Sequence, residues 1–204
     1  MTEFWNSLLT KKSWEILQEL RKEYDFILIG GWATYLLTKQ QKSKDIDIVV
    51  DLNELQKLKK KNLMKNDNLK KYEIKVDEID VDIYLEYYSK LTIPTEDIKK
   101  YSIEIQGFKV ASPETLLILK QGAYFDRKNS IKGQKDLIDI VSILFFTEID
   151  FKKYKEILKK YSLKDYENEL KSLLKNFKEY QKLNLAPNQF KRIKDKIMES
   201  VRSS

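Results

Sequence analysis

Residues 26–50 constrain this chain more than any other stretch. They run from an apolar segment, Phe26-Ile27-Leu28-Ile29, through Gly30-Gly31 into Trp32-Ala33-Thr34-Tyr35-Leu36-Leu37, and on to Asp45-Ile46-Asp47-Ile48-Val49-Val50. A short apolar run rich in β-branched residues suits a buried strand better than a helix, and the pattern from Gly31 to Lys39 suits a helix with Ala33, Leu36 and Leu37 inward. Because side chains on a strand alternate between faces, Asp45 and Asp47 share one side while Ile46, Ile48 and Val50 take the other. A strand, a glycine turn, a helix and a second strand therefore bring two carboxylates close to the turn. Like charges held side by side are unfavourable unless a cation sits between them.

Carboxylates joined by phosphate oxygens are a usual way to hold Mg²⁺. A Gly-Gly turn complements that chemistry, since a backbone without Cβ atoms can approach a phosphate and a helix N-terminus supplies free N–H groups. The same pair also serves tight packing. The 204 residues include no His and no Cys, which excludes zinc fingers, Ser-His-Asp triads, HExxH peptidases, His phosphorelays and disulfides. Any catalysis has to rest on carboxylates, Lys, Arg, Tyr, hydroxyls and a hard cation. With no imidazole as general base, a third acid is required. Glu78-Ile79-Asp80-Val81-Asp82-Ile83-Tyr84-Leu85 offers it, with Glu78, Asp80 and Asp82 on one face; Asp82 is the first choice and Asp80 the alternative.

The remaining pattern predicts a helix or two over 3–24, a Lys-rich helix over 52–65, a hairpin from strands 70–76 and 78–86 turning at Asp77, and a second hairpin at Gln106-Gly107. Ser112-Pro113-Glu114 is a strong helix start, and only helices are expected beyond it, over 113–127, 134–146, 150–160, 163–183 and 187–201. The fold class is α+β, a small mixed sheet with flanking helices (1–111) followed by a helical bundle (112–204). The positive charge is all in the back part: residues 151–204 carry 15 Lys and Arg against 7 Asp and Glu, net +8, whereas residues 1–150 are net −1. Lys171, Lys175, Lys178 and Lys182 fall at helical spacing and form a stripe that could track an RNA backbone, although 35 Lys against four Arg favours an ordinary solvated face. No stretch reads as a signal peptide or membrane span, so a cytoplasmic location is expected.

Gly30-Gly31, then thirteen residues, then Asp45-Ile46-Asp47 and a later apolar-Asp-apolar strand resembles the nucleotidyltransferase superfamily related to DNA polymerase beta. Ser43, together with Leu117-Ile118-Leu119-Lys120-Gln121-Gly122-Ala123 and Lys135-Asp136-Leu137-Ile138-Asp139-Ile140, is similar to the branch of AbiEii-type toxins and small antibiotic-modifying enzymes. The resemblance implies that Asp45, Asp47 and Asp82 ligate two Mg²⁺ ions and that Asp82 deprotonates an acceptor hydroxyl. It also implies that Gly30, Gly31, Ser43, Lys120 and Asp136 bind an NTP such as ATP. Lys120 and Asp136 equally suit an interhelical salt bridge. Implied partners are an NTP, an RNA or small-molecule acceptor and, for a toxin, a cognate protein. Gly31 stands where such relatives often have Ser, and Lys42 and Lys44 where they tend to have Arg.

Overall fold

The computed structural model describes residues 2–203, and the chain divides into two units, Met1–Ser112 and Pro113–Ser204. The first opens with α1 (Thr2–Glu23), β1 (Ile27–Ile29), α2 (Gly30–Thr38) and β2 (Ile46–Val50). It continues with α3 (Leu52–Leu58), β3 (Met64–Asn66), β4 (Lys71–Val76), β5 (Ile79–Leu85), α4 (Thr95–Ile98), β6 (Ser102–Ile105) and β7 (Phe108–Ala111). The strands form one mixed sheet of seven in the order β3-β4-β5-β2-β1-β7-β6. The pairs β2–β5 and β1–β7 are parallel, and the others antiparallel.

The sequence places β1 and β2 at the middle of the sheet for a simple reason. Every residue of β1 is buried, and so is every residue of β2 except Asp47, the near-continuous apolar pattern of strands covered on both faces. By contrast β5 alternates, with Ile79, Val81, Ile83 and Leu85 buried and Asp80, Asp82 and Tyr84 on the opposite face. α1 is a single helix that buries Ser13, Leu17 and Leu20. The Ser13 hydroxyl accepts from Trp32 Nε1 at 2.8 Å, so the indole's one donor is satisfied inside the core. At the β6–β7 hairpin Gln106 and Gly107 both take positive φ, 52° and 75°, as a two-residue turn with primed geometry requires.

The helix expected over 52–65 is shorter. It ends at Leu58, and Lys59–Lys61 form a single 3₁₀ turn closed by Asn62 in the left-handed region. The lysine run offers no apolar face to bury, and the chain is released to pair Met64–Asn66 with β4 as an additional strand.

The second unit comprises α5 (Pro113–Arg127), α6 (Ile131–Phe146), α7 (Phe151–Lys160), α8 (Tyr166–Asn176) and α9 (Pro187–Ser203). Side-chain caps start two of them: Ser130 Oγ accepts from Gly133 N at 3.0 Å, and Asp150 Oδ1 from Lys153 N at 3.0 Å. The single helix expected over 163–183 is broken after Asn176. Phe177 turns extended and buries its ring, and Lys194 of α9 donates to the carbonyl oxygens of Lys175 and Phe177 at 3.0 Å each. A lysine at those orphan carbonyls closes the helix. Lys178 and Lys182 consequently leave the helical array, and the expected lysine stripe does not form. Among the described residues no helix is long and apolar enough to cross a membrane.

Candidate active site

The glycine turn and the acid-bearing strands meet through strand register. Ile29, the last residue of β1, is opposite Asp47; Asp47 is opposite Asp82 on β5; and Asp82 is opposite Glu73 on β4. Neighbouring strands lie about 4.8 Å apart, so Asp47, Asp82 and Glu73 form a row of carboxylates across one face of the sheet. Gly30, which opens α2 immediately after Ile29, lies against this row. A Cβ built on it would stand 2.0 Å from Asp47 Oδ2 and 2.7 Å from Asp47 Cβ, and its φ is +66°. Only a glycine accommodates both the left-handed backbone and the side chain that fills the space above it. Gly31 is buried in the first turn of α2 without a positive φ.

Asp45 is placed differently from the expectation. β2 starts at Ile46, leaving Asp45 exposed in the bend ahead of the strand, so strand alternation does not fix its direction. Its charge nevertheless reaches the row. Burial pushes the Asp82 carboxyl above the ordinary carboxylate range, against the hydrogen bond and charge of Lys71, and the charges of Glu73 and Asp45 add to the rise. Asp80, the alternative third acid, is exposed and lies opposite Lys75, two positions from the Asp47 register. Ser43 is buried between α2 and β2, while its neighbours Lys42 and Lys44 are exposed.

Two residues of this site carry no signal in the motif reading. Lys71, at the start of β4 and 9% exposed, places Nζ 2.6 Å from Asp82 Oδ2 and 3.1 Å from Glu73 Oε1. Glu73 is fixed in turn by Asn66 Nδ2 at 2.9 Å. Burial works against the Lys71 charge, but the two carboxylates outweigh it and raise its pKa; Asn66 and Lys71 lower that of Glu73. The hairpin alone would have revealed Glu73, since a turn at Asp77-Glu78 that pairs Val76 with Ile79 necessarily sets Glu73 beside Asp82.

Lys120 and Asp136 belong to the second unit, where α5 and α6 pack together. Lys120 Nζ is 2.6 Å from Asp139 Oδ2 and 3.6 Å from Asp136 Oδ1, and Arg127 clasps Asp136 with Nε at 2.7 Å and Nη2 at 3.2 Å. Asp136 and Asp139 are each 2% exposed. The interhelical ion pair is thus present, and it ties the two helices together.

The donor chemistry of the row, hard carboxylate oxygens backed by a glycine with no Cβ, fits a hard divalent cation. The fit falls on Asp47 and Asp82, which the register makes neighbours, with the Lys71 ammonium as the positive charge beside them. Among the described residues no group of three or more His, Cys, Asp or Glu is arranged to hold a metal ion.

Searches of protein-family models and of curated proteins return no match to this chain. Solved structures do match. JHP933 from Helicobacter pylori is 16% identical, with 95% of this chain and 94% of that one covered and a TM-score of 0.52. An antigenic nucleotidyltransferase-like protein from Paracoccidioides brasiliensis is 20% identical, with 82% and 92% covered and a TM-score of 0.42. At 16% identity the likeness to JHP933 is one of fold alone.

Proposed function

We propose that the protein is a Mg²⁺-dependent nucleotidyltransferase that moves an NMP from an NTP to a hydroxyl or phosphate acceptor, an RNA such as tRNA or a small molecule, and releases pyrophosphate. The observation that carries this reading is the close packing of Gly30 on Asp47, with Asp47 in register beside Asp82. In this reading Asp45, Asp47 and Asp82 would hold the cation, which when bound supplies Lewis-acid stabilisation of the attacking and leaving oxygens. The N–H groups at the start of α2 favour an anion there, beside the Asp47 carboxylate that Gly30 lets approach the turn. Asp82 would take the proton of the acceptor hydroxyl. The finer likeness to AbiEii-type toxins would add Ser43 to the nucleotide-binding set.

Incubating the purified protein with each NTP labelled at the α-phosphate, Mg²⁺ and total cellular RNA is expected to yield labelled acceptor and pyrophosphate, and Asp47→Asn to abolish both. Full turnover in Asp47→Asn would exclude this site. One observation favours a second reading, a non-catalytic nucleotide- or partner-binding module of a toxin-antitoxin system: Asp82 is already compensated by Lys71. Calorimetry that detects NTP binding, with no pyrophosphate under any acceptor, would select the module.

A further inference from the structure

Lysine is rarely buried, and it stays charged inside a protein only when paired. Lys71 is buried and touches two carboxylates of a three-carboxylate row. Carboxylates directly opposite one another on adjacent strands repel, so Asp47, Asp82 and Glu73 would strain the sheet if left uncompensated. Lys71 and Glu73 are two apart on one strand and share a face, so the ammonium has a second seat on its own strand. Asn66 Nδ2 donates to Glu73 Oε1 at 2.9 Å, the oxygen that Lys71 Nζ approaches at 3.1 Å, and so holds that carboxylate beside the ammonium.

Resting on the metal-site reading above, we infer that Lys71 is the resident counter-cation of Asp82 and that a divalent cation gains Asp82 only by moving the Lys71 ammonium fully onto Glu73. In the exchange the ammonium keeps a carboxylate partner in both states: Lys71 spans Asp82 and Glu73 when no metal is present, and it neutralises Glu73 alone when the metal occupies Asp47 and Asp82. It also makes the bare protein a weak metal binder. The cation is then taken up with the triphosphate, whose oxygens add ligands that the protein does not supply.

Mn²⁺ titration by calorimetry and electron paramagnetic resonance, without nucleotide, tests the exchange on a readout other than turnover. Lys71→Met keeps the apolar stem and removes the competing charge, and it is expected to bind Mn²⁺ at least about tenfold more tightly than wild type. The gain should vanish when Asp82→Asn is added. In the wild type, the ¹⁵N-lysine ammonium signal that is missing from Lys71→Arg is expected to move on saturation with Mg²⁺, a measurement that holds even if Lys71→Met folds poorly. Unchanged or weaker Mn²⁺ binding by folded Lys71→Met, or an unmoved Lys71 signal, overturns the exchange, while the metal site survives provided Asp47→Asn and Asp82→Asn still weaken binding. Mn²⁺ binding absent from the wild type and from folded Lys71→Met alike, or binding indifferent to both Asp substitutions, overturns the metal site and the exchange together.

Discussion

Gly30→Ala is the substitution that most directly probes how the site is assembled. Two costs add. A Cβ at φ +66° places an L-residue in the left-handed region, costing about 1–2 kcal/mol. The same Cβ lies 2.0 Å from Asp47 Oδ2 and 2.5 Å from Asp47 Cγ, so the carboxylate must swing away, and a side chain driven off its rotamer costs about 1 kcal/mol more. Urea denaturation followed by tryptophan fluorescence, with Trp32 two residues from the substitution, is expected to show a loss of about 2–3 kcal/mol. Pyrophosphate release should fall as Asp47 leaves its place opposite Asp82. The carboxylate's share can be isolated, because Asp47→Ala removes the Oδ2 and Cγ atoms that the added Cβ would strike. In the Asp47→Ala background the penalty of the Gly30 change should shrink by about 1 kcal/mol, leaving the backbone part and the contact with the Cβ of residue 47 at 2.7 Å, a coupling that a double-mutant cycle resolves. Gly31→Ala, at a helical position without positive φ, is the comparison and should cost less. Wild-type stability in Gly30→Ala, or an equal penalty with and without the Asp47 side chain, would refute the close-approach reasoning.

Other expectations concern the helical unit. Tyr154→Phe removes the hydroxyl that donates to Gln121 Oε1 at 2.6 Å in a fully buried contact, and thermal melts should report a loss of about 1–3 kcal/mol. Lys120→Met strips Asp139 of its ammonium and leaves Asp136 to Arg127. Breaking such a buried pair is expected to cost about 3–5 kcal/mol, and a change below about 1 kcal/mol would show that the cluster is not a structural tie. Glu167 is held below its ordinary pKa by its hydrogen bond from Lys171, with Lys155 adding its charge. Its contribution to stability is therefore present at neutral pH and lost as pH falls through the depressed folded value. Glu167→Gln should flatten the acid limb of the stability–pH curve at and below pH of about 4.5; an unchanged acid limb would remove Glu167 from the account.

The legible parts of this molecule were those whose cause is local. The apolar runs of β1 and β2, the alternation of β5, the turns at Asp77 and Gln106-Gly107, and the Pro113 helix start each carry their reason within a few residues. The misread parts have distant causes. α8 ends where it does because Phe177 is buried and Lys194 arrives from α9 to cap the carbonyls. The stretch after Leu58 becomes β3 because β4 offers a partner edge. Asp45 looked like the twin of Asp47, yet strand pairing begins one residue later and leaves it in the bend. Lys71 escaped the motif reading because an isolated lysine on a strand shows nothing of what lies opposite.

Sequence alone determined which residues are available for chemistry: oxygens and amines, with neither imidazole nor thiol, and a Gly-Gly turn followed by alternating acids. Alternation follows from the pleat of a single strand, so any one segment can announce it. Only the tertiary structure decided which acids become neighbours, setting Asp82 rather than Asp80 beside Asp47, placing Asp47 over Gly30, and laying Lys71 between Asp82 and Glu73. Register between strands far apart in the chain is chosen when the whole sheet closes on its core, and a shift of two residues would preserve every face while pairing different charges.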